Sequence, residues 1–149
     1  MTVRVSRSFA FDVPPERVWE FIADAERRAG AISVVDRFEL HGQEAATWYV
    51  ELPIPLLRST ITVETEEVIR EPPRRVKFVG TSRAFDVTGE HTISPTDRGC
   101  RLDNEFVVEG RLPGVETFFR RNFDDELTNL ERALRADIGA RPGDSEASR

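Results

Sequence analysis

The side chains best suited to chemistry in this sequence are polar groups on otherwise apolar faces. In the stretch FDVTGEHTIS, alternate residues of an extended strand point to the same side, and His91 therefore shares a face with Phe85, Val87, Gly89 and Ile93. The opposite face carries Asp86, Thr88, Glu90 and Thr92. A histidine on the apolar side of a strand needs either a polar partner or a ligand.

A hairpin around the turn-like sequence SPTDRG supplies such a partner. Its register would place His91 opposite Asn104, Ile93 opposite Leu102 and Gly89 opposite Phe106, all on the inward face. Because Gly89 has no side chain, it would leave room beside this pair for a bend in the sheet or for a ligand. A slip of one residue would turn His91 and Asn104 outward.

The predicted C-terminal helix adds a carboxylate. At the standard helical period Glu126 falls inside the apolar arc that includes Phe119, Phe123 and Leu130, and Asn122 borders that arc. An unpaired buried carboxylate is costly, so Glu126 should find a donor, stay protonated or face a wet cavity. That donor could be His91.

These residues predict a ligand-binding cavity with apolar walls and a polar cluster of His91, Asn104 and Glu126, a mixture typical of small-molecule sites. The remaining expected ligand-binding residues are Trp48, Phe78, Phe85, Phe106, Phe119, Asn122 and Phe123. A histidine held by a carboxylate could act as a general base, which makes His91 and Glu126 the catalytic candidates. The alternative is a core histidine satisfied by Asn104 or by a backbone carbonyl, with Glu126 reaching the rim and no chemistry. Whether the protein is an enzyme stays open.

Other chemistries have little support in the sequence. His41, His91 and Cys100 lie too far apart for the close ligand spacing of zinc sites, and Cys100 has no evident activating base, so neither a metal nor a reactive thiol is expected. Glycine-rich nucleotide-binding motifs and the G-x-S-x-G elbow are absent from the sequence. No cofactor is predicted.

Composition limits the setting and the partners. A single cysteine excludes an internal disulfide, and no apolar run is long enough for a signal peptide or a spanning helix, so we expect a cytoplasmic protein. The formal net charge of −6 argues against a nucleic-acid partner. Scattered basic pairs, including Arg27-Arg28, are interpreted as solvated surface.

Periodicity predicts one strand, two short helices, six further strands and a long C-terminal helix. The first strand ends before Pro14-Pro15, where helical spacing begins. The later strands are expected at 34–40, 47–52, 59–69, 76–80, 85–93 and 101–109, and the long helix runs from Val115 to an end at Gly139. Residues 1–138 thus form one domain, followed by a disordered polar tail at 139–149.

This order predicts an α+β fold in which a curved, antiparallel seven-stranded sheet wraps around the long helix. A single helix cannot cover seven strands laid flat, and a strongly curved sheet leaves a cavity between the two layers. The segment LPIPLLR, Leu52 to Arg58, is apolar for a turn, so it could form the lip of the cavity, a docking patch for a membrane or protein partner, or a cover over the helix end.

Together with the segments FDVPPERVWEFIAD and GRLPGVETFFRRNFDDELTNLERALRAD, this order resembles the START-like (SRPBCC, Bet v 1-like) helix-grip superfamily. Within it the sequence is most similar to the branch that holds the polyketide cyclases/dehydrases and a family of carbon-monoxide-dehydrogenase subunits, where Val18-Trp19 and Asp24 match typical positions. The I-P-G step usual in the dehydrogenase-subunit family is replaced here by AGAISVVDRF.

The resemblance implies a protein that encloses a hydrophobic small molecule or lipid. The alternatives are a cyclase or dehydratase that uses the cavity histidine, and an accessory protein for enzyme maturation or membrane recruitment. Because one fold supports many functions, the site has to decide between them.

Overall fold

The computed structural model describes residues 2–42, 44–54 and 59–140. In chain order its elements are β1 (Thr2–Phe11), α1 (Pro15–Ile22), α2 (Ala25–Gly30), β2 (Val35–His41), β3 (Ala45–Val50), β4 (Ile61–Glu71), β5 (Arg75–Thr81), β6 (Phe85–Pro95), β7 (Cys100–Gly110) and α3 (Val115–Ala140). This is the predicted order of elements, and the strand boundaries lie within two residues of the predicted ones.

Across these described residues the strands form one curved antiparallel sheet in the order β1-β7-β6-β5-β4-β3-β2. The long helix α3 supplies an apolar stripe of Val115, Phe119, Phe123, Leu127, Leu130 and Leu134 to the buried core. The α+β helix-grip architecture is therefore confirmed.

Two local signals place the short helices. Pro15 occupies the first turn of α1, where its fixed backbone angle suits a helix start and its missing N–H costs nothing. Asp24 caps α2, since its side chain accepts hydrogen bonds from the backbone N–H groups of Glu26 at 2.9 Å and Arg27 at 3.3 Å. Asp24 is thus the N-cap residue that sets where α2 begins.

The β6–β7 hairpin has the register predicted from its alternation. His91 pairs with Asn104, Gly89 with Phe106 and Ile93 with Leu102, and the ladder runs without a shift to Pro95 and Cys100. The odd-numbered residues of β6 from Phe85 to Ile93 are all buried. The inward position of His91 follows directly from this pairing.

The end of α3 differs from the prediction. The helix continues through Gly139 to Ala140, so Gly139 does not end it and the proposed boundary at residue 138 falls inside the last turn. A glycine can occupy a helical position at a modest cost in conformational entropy. The rest of the predicted tail, 141–149, lies outside the described residues.

The apolar segment from Leu52 is described only in part. Leu52 is buried in the core, and a Cβ added at Gly114 would lie 3.0 Å from Cγ2 of Ile54, so the segment begins close to the start of α3. Residues 55–58 lie outside the described residues, and their proposed role as a lip or docking patch stays a prediction.

Arg7, the one break in the alternation of β1, faces the helix. Its Nη1 donates to Thr128 Oγ1 at 2.9 Å and to the carbonyl of Asp124 at 3.1 Å, and its Nη2 lies 3.5 Å from Glu131 Oε1. These bonds join an edge strand of the sheet to the middle of α3.

Gly89 does not open the space that its lack of a side chain suggests. A Cβ at this position would lie 2.5 Å from Cζ of Phe78 and 2.9 Å from Cε1 of Phe106, distances that real Cβ contacts do not show. The two rings pack over the glycine backbone and fill the room. Gly89 is therefore required for close approach of aromatic side chains.

We expect Gly89→Ala to lower the free energy of unfolding by about 1–3 kcal/mol, because both rings must leave their packed positions. Chemical denaturation measures the change. The matched control is Gly30→Ala, since a Cβ at Gly30 meets nothing within 4 Å. Equal stability of the two variants would contradict the close-packing interpretation.

Candidate functional site: the cavity between the sheet and the long helix

A cavity of about 60 Å³, measured as the space that the centre of a water molecule can reach, lies between the inner face of the sheet and α3. At roughly 10–15 Å³ per water on this measure, it is large enough for about four to six waters or for a small ring compound. The walls are mainly apolar side chains from the sheet, the α2–β2 connection and α3. They comprise Ile32, Val34, Val35, Trp48, Val50, Phe78, Phe85, Val87, Phe106, Phe119, Phe123, Leu127 and Leu130, with Arg28, His91 and Glu126 as the polar members.

His91 sits in the sheet wall of this cavity with 2% of its surface exposed. Its Nδ1 is 2.7 Å from Oδ1 of Asn104 on the neighbouring strand. The Asn104 amide is oriented by a second bond, in which its Nδ2 donates to the backbone carbonyl of Arg7 at 3.1 Å. Since Oδ1 can only accept, Nδ1 of His91 must carry the proton and donate it.

This bond fixes the tautomer of His91. In the neutral ring only one nitrogen carries a proton, so Nε2 is left as a hydrogen-bond acceptor. Nε2 lies at the end of the ring farthest from the backbone, and it has no hydrogen-bond partner within the described part of the chain. The ring itself is held between Phe78, stacked at 6.4 Å between centroids, and Phe106, edge-on at 5.5 Å.

Burial keeps His91 uncharged. Removal from water lowers the pKa of His91 to about 4, and the positive charge of Arg28 contributes in the same direction, while the bond to Asn104 opposes the shift. At neutral pH the imidazole is therefore a neutral group with an acceptor nitrogen. A ring with so low a pKa is a weak base.

Arg28 is the cavity residue that the sequence interpretation got wrong. Composition predicts that the pair Arg27-Arg28 is solvated, yet Arg28 is only 6% exposed and lies in the cavity wall. Its Nη1 donates to the carbonyl of Ile22 at 2.6 Å, its Nη2 donates to Glu67 Oε2 at 3.0 Å, and the guanidinium lies 5.6 Å from the centroid of Phe78. Burial lowers the pKa of Arg28, and Glu67 offsets this by stabilising the charge.

Helical periodicity was the signal that could have placed Arg28 in the core, and it is visible in the spacing of Ala25, Arg28, Ala29 and Ile32. These positions recur every three or four residues, so they share the inner side of α2 and the turn after it. Composition alone marks Arg28 as surface, whereas helical periodicity places it with apolar neighbours. Its partner Glu67 lies far away in sequence on β4, so the pairing itself had no local signal.

Glu126 lines the cavity as expected, but His91 is not its donor. The Glu126 carboxylate accepts hydrogen bonds from the backbone N–H of Ser33 at 3.1 Å and from the Ser33 hydroxyl at 2.7 Å, and Asn129 Nδ2 donates to it at 3.0 Å. The predicted cluster therefore divides into a buried His91–Asn104 pair and a separate Glu126–Ser33 contact. The second contact joins the segment 31–34, which carries the wall residues Ile32 and Val34, to α3.

The other predicted site residues fall into two groups. Those placed in the cavity wall are the aromatic ones, Trp48, Phe78, Phe85, Phe106, Phe119 and Phe123. Asn104 lies behind His91, and Asn122 donates within α3 to the carbonyl of Phe118 at 2.7 Å, so neither belongs to the wall. Asn122 borders the apolar arc on a helical wheel, but its amide satisfies the helix backbone instead of facing the cavity.

Cys100 is buried, and burial raises the pKa of its thiol. Among residues 2–42, 44–54 and 59–140, no group of three or more histidine, cysteine or acidic side chains could hold a metal ion. No helix in these ranges is long and apolar enough to cross a membrane.

The depressed pKa of His91 makes stability depend on pH. In the unfolded chain the ring is protonated below about pH 6.5, whereas in the folded protein it is protonated only below about pH 4. The unfolded chain therefore binds more protons between these values, and the free energy of unfolding falls as the pH falls. Between pH 7 and 5 the His91 contribution is about 2 kcal/mol. In urea denaturation we expect the free energy of unfolding to fall by about 2 kcal/mol less between pH 7 and pH 5 in His91→Gln than in wild type.

The control for that measurement is Leu40→Gln, a substitution at an exposed residue of β2 that neither adds nor removes a titrating group. This variant should keep the wild-type dependence on pH. A His91→Gln slope equal to that of wild type would contradict the neutral, buried state of the ring.

Glu126→Ala should loosen the segment 31–34. The substitution removes a charged acceptor from both the N–H and the hydroxyl of Ser33, so we expect the Ser33 amide to exchange with solvent deuterium about tenfold faster. Asp125→Ala, a change at an exposed residue one position away on α3, is the control and should leave this rate unchanged. Equal protection of Ser33 in both variants would show that Glu126 does not hold the segment.

Solved structures with the same architecture include proteins from several sources. An aromatase/cyclase, ZhuI, from Streptomyces sp. R1128 aligns with a TM-score of 0.69 at 16% identity, covering 96% of this chain and 98% of that one. A START superfamily protein from Mycobacterium smegmatis gives 0.67 at 14% identity, covering 89% and 94%. The di-domain aromatase/cyclase StfQ of steffimycin biosynthesis gives 0.70 at 14% identity, covering 95% of this chain and 52% of that one.

At these identities the structural likeness shows the fold that this chain shares with those proteins. A search of curated proteins gave no match. The family model described as polyketide cyclase/dehydrase and lipid transport matches residues 2–135, nearly all of the described chain. The chain therefore belongs to the polyketide cyclase/dehydrase and lipid transport family, and its order of elements resembles that of START-like proteins.

Proposed function

We propose that this protein binds a hydrophobic small molecule in the cavity between the sheet and α3, as a carrier or sensor. The observation that carries the proposal is the cavity itself, whose wall has thirteen apolar members against three polar ones, all from described residues. Apolar walls with a few placed polar groups are the usual form of a small-molecule site. Membership of a family whose description includes both cyclisation and lipid transport supports a hydrophobic ligand.

Two features favour binding over general-base catalysis. His91 is oriented by the neutral amide of Asn104, since the only carboxylate among the wall residues, Glu126, is bonded to Ser33. Its pKa of about 4 leaves the ring with little driving force to take a proton at neutral pH. A histidine catalyst would need a stronger base than this environment provides.

Two of the polar wall residues, Arg28 and Glu126, form hydrogen bonds with other protein groups, so most of the surface left for a ligand is apolar. Arg28 is paired with Glu67, and the Glu126 carboxylate is occupied by Ser33 and Asn129. A ligand therefore meets mainly hydrocarbon and aromatic surface. Each Å² of apolar surface removed from water contributes about 25 cal/mol, which is enough for measurable binding of a one-ring compound.

Titration with toluene, followed by amide shifts in two-dimensional NMR, tests the proposal. We expect shifts concentrated on wall residues such as Val87 and Phe106, and we expect Val87→Phe to abolish them because the larger side chain fills the cavity. Val107→Phe, on the outward face of the adjacent strand β7, is the matched control and should bind toluene as wild type does. Circular dichroism verifies that both variants are folded. Equal binding of toluene by both variants would refute the proposed function, and so would a wild-type protein that binds neither toluene nor its hydroxyl analogue phenol.

A further inference from the structure

We propose that the ligand of this cavity is an uncharged molecule with a hydroxyl group that donates a hydrogen bond to Nε2 of His91, and that a phenol is its simplest form. This inference rests on the proposed function and specifies the ligand chemistry of the same site. Its starting point is Nε2 of His91, a hydrogen-bond acceptor without a partner among the described residues.

The acceptor character of Nε2 is imposed from outside the cavity. The carbonyl of Arg7 on β1 holds the amide of Asn104 on β7, and the amide oxygen then holds the Nδ1 proton of His91 on β6. Three adjacent strands thus determine which ring nitrogen carries the proton. Arg7 and Asn104 are not among the wall residues, so the bonds that set the tautomer lie outside the lining of the cavity.

An open acceptor inside an apolar cavity is unfavourable unless something donates to it. Side-chain hydrogen-bond partners of Nε2 are absent from residues 2–42, 44–54 and 59–140, and the ring is packed against Phe78 and Phe106. A donor must therefore come from a water molecule or from the ligand. A hydroxyl on an apolar ring supplies that donor and fills the remaining volume with hydrocarbon.

The charges around the cavity select against an anion. A carboxylate would present lone pairs to the Nε2 lone pair, and the positive charge of Arg28, the cation in the wall, is already offset by the salt bridge to Glu67 at 3.0 Å. Glu126 adds a negative charge to the wall. The neutral state of His91, whose pKa burial lowers to about 4, removes the positive charge that an anionic ligand would need.

Phenol, toluene and benzoate make a matched set of probes, because they share one ring and differ in having a hydroxyl, a methyl or a carboxylate. Kd values are measured by NMR titration at neutral pH for wild type, His91→Leu and Leu130→Ala. In His91→Leu the ratio of the phenol Kd to the toluene Kd should rise about tenfold, the effect of losing one buried hydrogen bond. In Leu130→Ala, which alters only an apolar wall, both Kd values should change together and the ratio should stay within about twofold of wild type.

A direct measurement covers the case in which His91→Leu does not fold. In wild-type protein labelled with ¹⁵N-histidine, Nε2 of His91 should show the shift of an unprotonated nitrogen and should move to lower frequency with phenol but not with toluene. Nδ1 should stay protonated throughout, and His41 provides an internal reference. Benzoate should produce neither binding nor a shift at this nitrogen.

The outcomes separate the two proposals. Saturable toluene binding with an unchanged phenol-to-toluene ratio in His91→Leu and an unmoved Nε2 signal would overturn the hydroxyl inference and leave the proposed function intact. Benzoate binding tighter than phenol would overturn the selection for an uncharged ligand. Failure of both toluene and phenol to bind would overturn the proposed function and this inference with it.

Discussion

The pairing of β6 with β7 is the constraint on which the rest of the site depends. Its ladder runs from Phe85 opposite Gly110 to Pro95 opposite Cys100 without a bulge, and alternate residues therefore keep one face throughout. A shift by one residue would put Glu90 or Thr92 in the place of His91 and turn five inward positions of β6 outward. The tautomer of His91 and the packing of Phe106 over Gly89 follow from this register, and the β5–β6 pairing adds Phe78 opposite the same glycine.

Local sequence signals are sufficient for the elements and for this register, but not for contacts between distant elements. Period-two alternation, Pro14-Pro15 and the turn after Ser94 are short-range signals, and they predict the order of strands and helices and the His91–Asn104 pair. The partner of Glu126 is Ser33, which lies in an irregular segment with no periodicity, so the helical wheel can show that Glu126 faces inward but not what it meets. Arg28 is misplaced by composition because its neutralising partner Glu67 lies on β4, and only the folded sheet brings the two together.

The polar side chains around the cavity are arranged so that their charges are satisfied outside its volume. Glu67, with 4% of its side chain exposed, pairs with Arg28 and with Arg70 at 2.8 Å. Such buried pairs contribute little net stability, because desolvation offsets their attraction, but removal of one member leaves a charge without compensation. Their effect here is geometric, since they fix α2 against β4 at one end of the cavity. The Nε–H group of Arg28 is also buried, and it has no hydrogen-bond partner among the described residues, so one donor of this guanidinium stays unsatisfied.

The position of β1 in the sheet has a consequence for how the chain folds. This first strand has β7 as its neighbour in the sheet order, from Thr2 opposite Glu109 to Phe11 opposite Cys100, and its Arg7 bonds to residues of α3. During synthesis the strand thus leaves the ribosome about a hundred residues before its neighbour exists. Closing so long a loop costs conformational entropy before any pairing repays it, and contacts of this kind slow folding. The last third of the chain therefore controls when the cavity can form, because β7 and α3 complete the wall and hold the first strand in place.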